Sequence, residues 1–177
     1  MSVKKYYLLA KKNLFLICRS ITGQGIRKTL KIIKKQFPQL KIITVSSGTK
    51  VFDWSVPPEW NVKDAYILDK NNEKIINFKK NNLHLVGYSI PINKTLYKRD
   101  LFKRIHSLPK QPKAIPYITS YYKRYWGFCV RHDEKLKFDI NYNNSDKFKV
   151  VIKTNLNLKG RLNYGELVLK VDQNRKF

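Results

Sequence analysis

Acidic residues are scarce in this chain, and residues 1–52 contain none; the first is Asp53. Twelve acids face 37 lysines and arginines in 177 residues, giving a formal charge of +25. A field of that sign attracts anionic partners and excludes an acidic, cation-collecting protein. Cysteine is nearly absent as well. Cys18 and Cys129 fit no metal or redox spacing and read as small apolar residues. The three histidines, His84, His106 and His132, form no His-x-x-x-His pattern, so no metal centre is expected within the chain. A Gly-x-Ser-x-Gly elbow is missing too, which removes a serine hydrolase of that type. No apolar run approaches the roughly 20 residues that span a bilayer. Lys11 and Lys12 interrupt the apolar stretch Tyr6 to Ala10, and no small-residue cleavage site follows. A secretory leader is therefore unsupported and a cytoplasmic location is expected.

What is present suffices for a core. Apolar residues make up 42% of the chain and aromatics 13%, which excludes a disordered polymer. Tyr7, Ala10, Leu14 and Ile17 fall on one helical face. Ile26, Leu30, Ile33 and Phe37 repeat that spacing in a second helix, whose wet side carries Arg27, Lys28, Lys31, Lys34 and Lys35 and which Pro38 ends. Leu40 to Val45 reads as a strand. Further short strands are expected over Val51 to Val56, Ala65 to Leu68, Lys74 to Phe78 and Leu83 to Ser89. Asn71-Asn72 supplies a hairpin turn, because asparagine tolerates positive φ. Tyr97 to Leu108 carries Leu101, Ile105 and Leu108 at helical spacing. Lys147 to Leu156 and Arg161 to Leu169 read as a closing β pair, with Leu158-Lys159-Gly160 at the turn.

Two segments are candidate binding sites. Arg19-Ser20-Ile21-Thr22-Gly23-Gln24-Gly25 joins the first two helices. Glycines at a helix start let backbone N–H groups approach an anion, and Arg19 and Arg27 would strengthen that site. A dinucleotide loop is excluded, since a helix precedes the glycines. The other reading is a tight turn with Thr22 as N-cap. In the second segment Tyr117, Tyr121, Tyr122, Tyr125, Trp126 and Phe128 alternate with Lys123, Arg124 and Arg131. Such a cluster either stacks on sugars or bases, or forms a small core with snorkelling cations. The candidate substrate-binding set is thus Arg19, Thr22, Gly23, Gly25, Arg27, Tyr121, Tyr122 and Trp126, with no catalytic residue and no metal ligand.

The long irregular motifs carry more information than the periodicity. They are Cys18 to Arg27, Ser47-Gly48-Thr49-Lys50-Val51-Phe52-Asp53-Trp54-Ser55-Val56-Pro57, Ile115 to Tyr122, Trp126-Gly127-Phe128-Cys129 and Leu162-Asn163-Tyr164-Gly165-Glu166. Together they resemble the amino-terminal part of the zinc aminopeptidase-like family described as polysaccharide biosynthesis proteins with an aminopeptidase-like domain. The resemblance runs from about Leu14 to Glu166. It implies an α+β chain: an incomplete amino-terminal part of an α/β zinc-aminopeptidase-like domain plus a small inserted α+β domain. Residues 1–56 would be the first helices and strand, 57–157 the inserted domain, and 158–177 a return strand into the peptidase-like core. The family's zinc ligands follow this region, so none is carried over, although zinc is expected in full-length relatives. Lys110, Lys113 and Lys153 stand where the family tends to be acidic.

The resemblance implies a truncated or split portion of a zinc-dependent amide hydrolase, linked to polysaccharide biosynthesis and not catalytic alone. Its expected partner is a separately encoded catalytic half, or a second copy, with peptide or amino-sugar substrate in intact relatives. The alternative is a stand-alone basic module for nucleic acid or acidic glycan. Nucleic acid is disfavoured because most of the cations are lysine, whereas bidentate phosphate and base contacts favour arginine.

Overall fold

The computed structural model of the protein describes residues 3–169. The chain opens with helix α1 (Val3–Leu9), which loosens into one π turn over Ala10–Leu14. The inward face is not the expected one, since Tyr7 and Ala10 are both exposed. Tyr6, rather than Tyr7, stacks on Phe37 at 5.7 Å. Helix α2 (Gln24–Gln36) follows the apolar spacing of the sequence: Leu30 is buried, and Lys28, Lys31, Lys34 and Lys35 face solvent. Strand β1 (Lys41–Ser46) comes next, then a small hairpin, β2 (Lys50–Val51) and β3 (Trp54–Ser55). Phe52 forms the tip of that hairpin, fully exposed and at φ 51°.

The larger unit is a four-stranded antiparallel sheet in the order β5-β4-β9-β6. Its strands are β4 (Glu59–Leu68), β5 (Lys74–Asn77), β6 (Ile92–Tyr97) and β9 (Lys147–Asn157). Asn72 takes φ 63° in the β4–β5 turn, as expected of asparagine there. Asp69 Oδ1 holds the turn by accepting N–H bonds from Asn71 and Glu73. Helix α3 (Lys98–Phe102), a two-residue parallel pair β7 (Ile105–His106) and β8 (Phe128–Cys129), and helix α4 (His132–Asn141) complete the unit. Ala65 and Ile67 of β4, Phe148, Val150 and Ile152 of β9, Leu101 and Phe128 form the centre of one core. Each large side chain buried there contributes roughly 1.5–3 kcal/mol. Phe138 ties α4 to the sheet, lying 5.1 Å from Phe148 and 6.3 Å from Phe102. The Lys98 ammonium is buried under the end of α4. It donates to the carbonyls of Asp139 and Tyr142 and pairs with Asp139 Oδ1 at 2.7 Å. Those carbonyls are among the acceptors that a helix C-terminus leaves unpaired.

Val51 to Val56 is not one strand but part of the β2–β3 hairpin, which turns at Phe52 and Asp53. Three further expectations need correction, and one helix was not expected. Leu83 to Ser89 is not a strand. A 3₁₀ turn at Asn82–His84 is capped by the Asn81 side chain, and only isolated bridges follow at Leu85 and Gly87. The helix over Tyr97 to Leu108 stops at Phe102, because Ile105 is drawn into β7 against Phe128. Helix α4 has no consistent apolar face, so periodicity missed it; its signal is the acidic first turn, where the Glu134 carboxylate accepts the Arg131 N–H. Strands β9 and β10 (Arg161–Glu166) adjoin in sequence but do not pair with each other. β9 sits between β4 and β6, whereas β10 pairs with β1, from Lys41↔Glu166 to Ser46↔Arg161.

Candidate functional site

The segment between the π turn and α2 is stitched to the sheet by one threonine. Thr22 is buried. Its hydroxyl accepts the Trp60 N–H at 3.0 Å and lies 2.6 Å from the Tyr88 hydroxyl. Its backbone bridges to Leu162 of β10. Thr22 is therefore not the N-cap of α2. Gly23 occupies that position, at φ 91° and ψ −177°, a conformation essentially restricted to glycine. The first helical N–H, of Gln24, donates instead to Asn61 Oδ1 of β4 at 2.8 Å. Gly25 lies directly on the Cys18 carbonyl; a Cβ there would fall 1.9 Å from that oxygen.

Arg27 reaches from the second turn of α2 to Glu59, the first residue of β4. The contact is bidentate, at 2.8 Å and 2.6 Å. Glu59 is buried and also accepts from Asn61 Nδ2 and the Arg161 N–H. The guanidinium bond, followed by these further donors, outweighs desolvation and brings its carboxyl down to about 2. Asn163 of β10 joins the group through Arg27 and Thr44. One charged cluster thus locks α2, β4 and the β1–β10 pair together.

Beside it lies an open cleft of about 480 Å3 between the start of α2 and the β4–β9 ladder. Lys63, Lys153, Gln24, Asn61, Asn155 and Ser20 supply its polar groups, with Cys18 and Thr22 in the same wall. A β-bulge shapes it. Val62 pairs with Thr154 and Asp64 with Lys153, so Lys63 between them has no register partner. Bulges of this kind re-aim a side chain. Among the described residues, no aspartate, glutamate or histidine lines the cleft. Burial pushes the Cys18 thiol up to about 11, so it stays protonated near neutrality and is a poor nucleophile. Among the described residues the lining offers cationic and hydrogen-bonding groups.

Of the sequence-derived candidates, Thr22 and Gly25 line the cleft, while Arg27 is committed to Glu59. Arg19 is exposed and donates to the Leu14 carbonyl. Tyr121, Tyr122 and Trp126 lie elsewhere. Tyr121 packs edge-on against Tyr88 at 5.5 Å and Tyr122 at 4.7 Å, and the Arg104 guanidinium covers Trp126 at 5.2 Å. Sequence reasoning did not find Asn61, Lys63 or Asn155 as site residues, and noted Lys153 only for its charge. The available signal was Trp60 and Val62, which alternate with Asn61 and Lys63 and mark a half-buried strand.

The histidines are dispersed. His84 contacts the Cys129 carbonyl, His106 the Tyr125 hydroxyl and His132 the Ser107 hydroxyl. Among the described residues, no three His, Cys, Asp or Glu side chains converge to hold a metal ion. The residues here do not fit a zinc centre. No described helix is long and apolar enough to cross a membrane.

Comparison with known proteins agrees with this architecture. The family model described as "Domain of unknown function (DUF2172)" matches residues 59–155. A relative from Clostridium acetobutylicum, the "Putative polysaccharide biosynthesis protein with aminopeptidase-like domain", is 49% identical over 159 residues, covering 90% of this chain and 35% of its own length. A crystal structure described as a "putative peptidase" from Clostridium acetobutylicum aligns with a TM-score of 0.81 at 47% identity, over 92% of this chain and 36% of that one. The chain spans about a third of the length of these relatives. Its α+β architecture is thus shared with one part of an aminopeptidase-like protein, and the chain belongs to the DUF2172 family.

Proposed function

We propose that this chain is the non-catalytic portion of a zinc-dependent, aminopeptidase-like amide hydrolase acting in polysaccharide biosynthesis. In this reading the zinc and the hydrolytic residues belong to the remainder of the protein, and this portion helps to frame the substrate. The observation that carries it is the 49% identity to one third of an aminopeptidase-like relative. The described residues support the division of labour, since they gather a polar cleft but no metal ligands.

The β1–β10 pair favours a partner that completes a sheet. By strand alternation, Ile43, Val45, Leu162 and Tyr164 share the face opposite Asn163 and Gly165. Three of these are half-buried and Tyr164 is exposed. Apart from the Thr22 bridge, the outer edges of the pair have no strand partner among the described residues. An open edge with an apolar face is a surface for strand addition. The occupant we assign is the aminopeptidase-like remainder seen in the relatives. Phe52, projecting from its hairpin tip at strained φ, is a further candidate contact for it.

Metal analysis tests the reading. The chain is expected to retain no stoichiometric zinc and to leave an aminoacyl-anilide uncleaved. Co-purified with the remaining two thirds of the Clostridium acetobutylicum relative, the complex should hold zinc and cleave the anilide. Zinc retained by the chain alone after mild chelation, and lost on substitution of His84 or His132, would refute the assignment.

A further inference from the structure

The cleft beside α2 carries unbalanced charge. Lys63 and Lys153 line it from adjacent strands, and among the described residues no carboxylate does. Neither lysine forms an ion pair among the described residues. Of the two acids on β4 nearest the cleft, Glu59 is bonded to Arg27, and Asp64, opposite Lys153 in the ladder, pairs with Lys79 at 3.6 Å. The amino-terminal end of α2 lies in the same wall, and its partial positive charge adds to theirs. Two unneutralised ammonium groups in one concavity create a local potential that an isolated surface lysine does not.

The remaining lining narrows the ligand. Gln24 and Asn155 present carboxamides, which donate and accept hydrogen bonds and match vicinal hydroxyls, while the Asn61 carboxamide is engaged by the Gln24 N–H and Glu59. An aromatic platform is missing. Trp60 is only 4% exposed, with its ring stacked on Tyr88 at 5.6 Å, so a nucleobase has no face to stack on. The volume, about 480 Å3, lies within the range of small-ligand sites.

We propose that this cleft binds an acidic saccharide unit. Lys63 and Lys153 take its carboxylate or phosphate, and Gln24 and Asn155 take its hydroxyls. The assignment rests on the cleft alone and stands or falls separately from the hydrolase reading.

The test is an amide-resolved NMR titration of the full chain. The probes are digalacturonate, galactose 1-phosphate, neutral galactobiose and a short oligouridylate. Shifts localised to Asn61, Lys63, Lys153 and Asn155 are expected with one or both acidic sugars, and which of the two binds tells carboxylate from phosphate. Neutral galactobiose should bind at least about tenfold more weakly. The K63Q/K153Q variant should lose about tenfold or more in affinity for the acidic sugar. K31Q/K35Q, which removes equal charge from the exposed face of α2, should lose less than about twofold. Both variants remove exposed lysines, and thermal melts verify that each is folded. Four results would overturn the proposal: equal losses in both variants, equal binding of the neutral sugar, shifts at the cleft with oligouridylate alone, or no saturable binding by either acidic sugar.

Discussion

Replacing Gly25 with alanine is expected to destabilise the chain by about 3 kcal/mol, at the upper end for an overpacked site. The new Cβ would sit 1.9 Å from the Cys18 carbonyl oxygen and 2.9 Å from its carbon. Both are backbone atoms, and no rotamer change relieves the clash. Either α2 or the Cys18–Arg19 segment has to move. The Thr22 bonds to Trp60 and Tyr88 resist movement of that segment, while Arg27–Glu59 resists movement of the helix. Gly48 is the control. It differs in both respects: its φ is positive, at 85°, whereas Gly25 is helical, and nothing lies within 4 Å of its Cβ position. Gly48→Ala should cost about 1 kcal/mol, the conformational term alone. Melting temperatures read the contrast: a fall on the order of 10 °C for Gly25→Ala and about 3 °C for Gly48→Ala. Equal shifts would show that the contact with Cys18 is not tight.

Arg27→Met should cost about 3 kcal/mol at pH 7, because it leaves the buried Glu59 carboxylate without its cation. The loss should also depend on pH. Glu59 has a folded-state pKa of about 2 against 4.5 in the unfolded chain. A depressed carboxylate stabilises the fold fully above its unfolded pKa, and that contribution fades as pH falls through the folded value. The gap between wild type and Arg27→Met should therefore be constant from pH 7 to about 5 and close progressively towards pH 2. Denaturant unfolding at several pH values measures it. A gap that persists undiminished at pH 2 would mean that packing of the Arg27 stem, rather than the ion pair, carries the effect.

Much of the fold is written locally. Ile26, Leu30 and Ile33 mark α2, β-branched residues mark β1, and Asn71-Asn72 marks the turn after β4, because each depends on neighbours close in sequence. Pairing was less legible. Nothing in Leu158-Lys159-Gly160 says that β9 and β10 part there to join different sheets; that choice is made by β4 and β1, about 100 residues earlier in the chain. Glu59 carried no local signal for a similar reason: its partner Arg27 lies 32 residues away. Thr22 was assigned a local role as a helix cap, yet its partners Trp60 and Tyr88 are distant. The glycines of the Cys18 to Arg27 motif were read either as openings for a ligand or as part of a tight turn. Gly25 is instead filled by the chain's own backbone, and the polar cleft lies beside it, lined by a bulge that no local pattern announces.

In the proposed function, the β1–β10 face receives the aminopeptidase-like remainder of the relatives. Light scattering coupled to size separation tests it most directly, on the chain alone and on the chain co-expressed with the remaining two thirds of the Clostridium acetobutylicum relative. The account predicts a one-to-one complex that dissociates when Ile43 and Leu162 are both replaced by lysine, while the cleft variant K63Q/K153Q still assembles. A monodisperse, cooperatively melting monomer that ignores the complementary portion would contradict it.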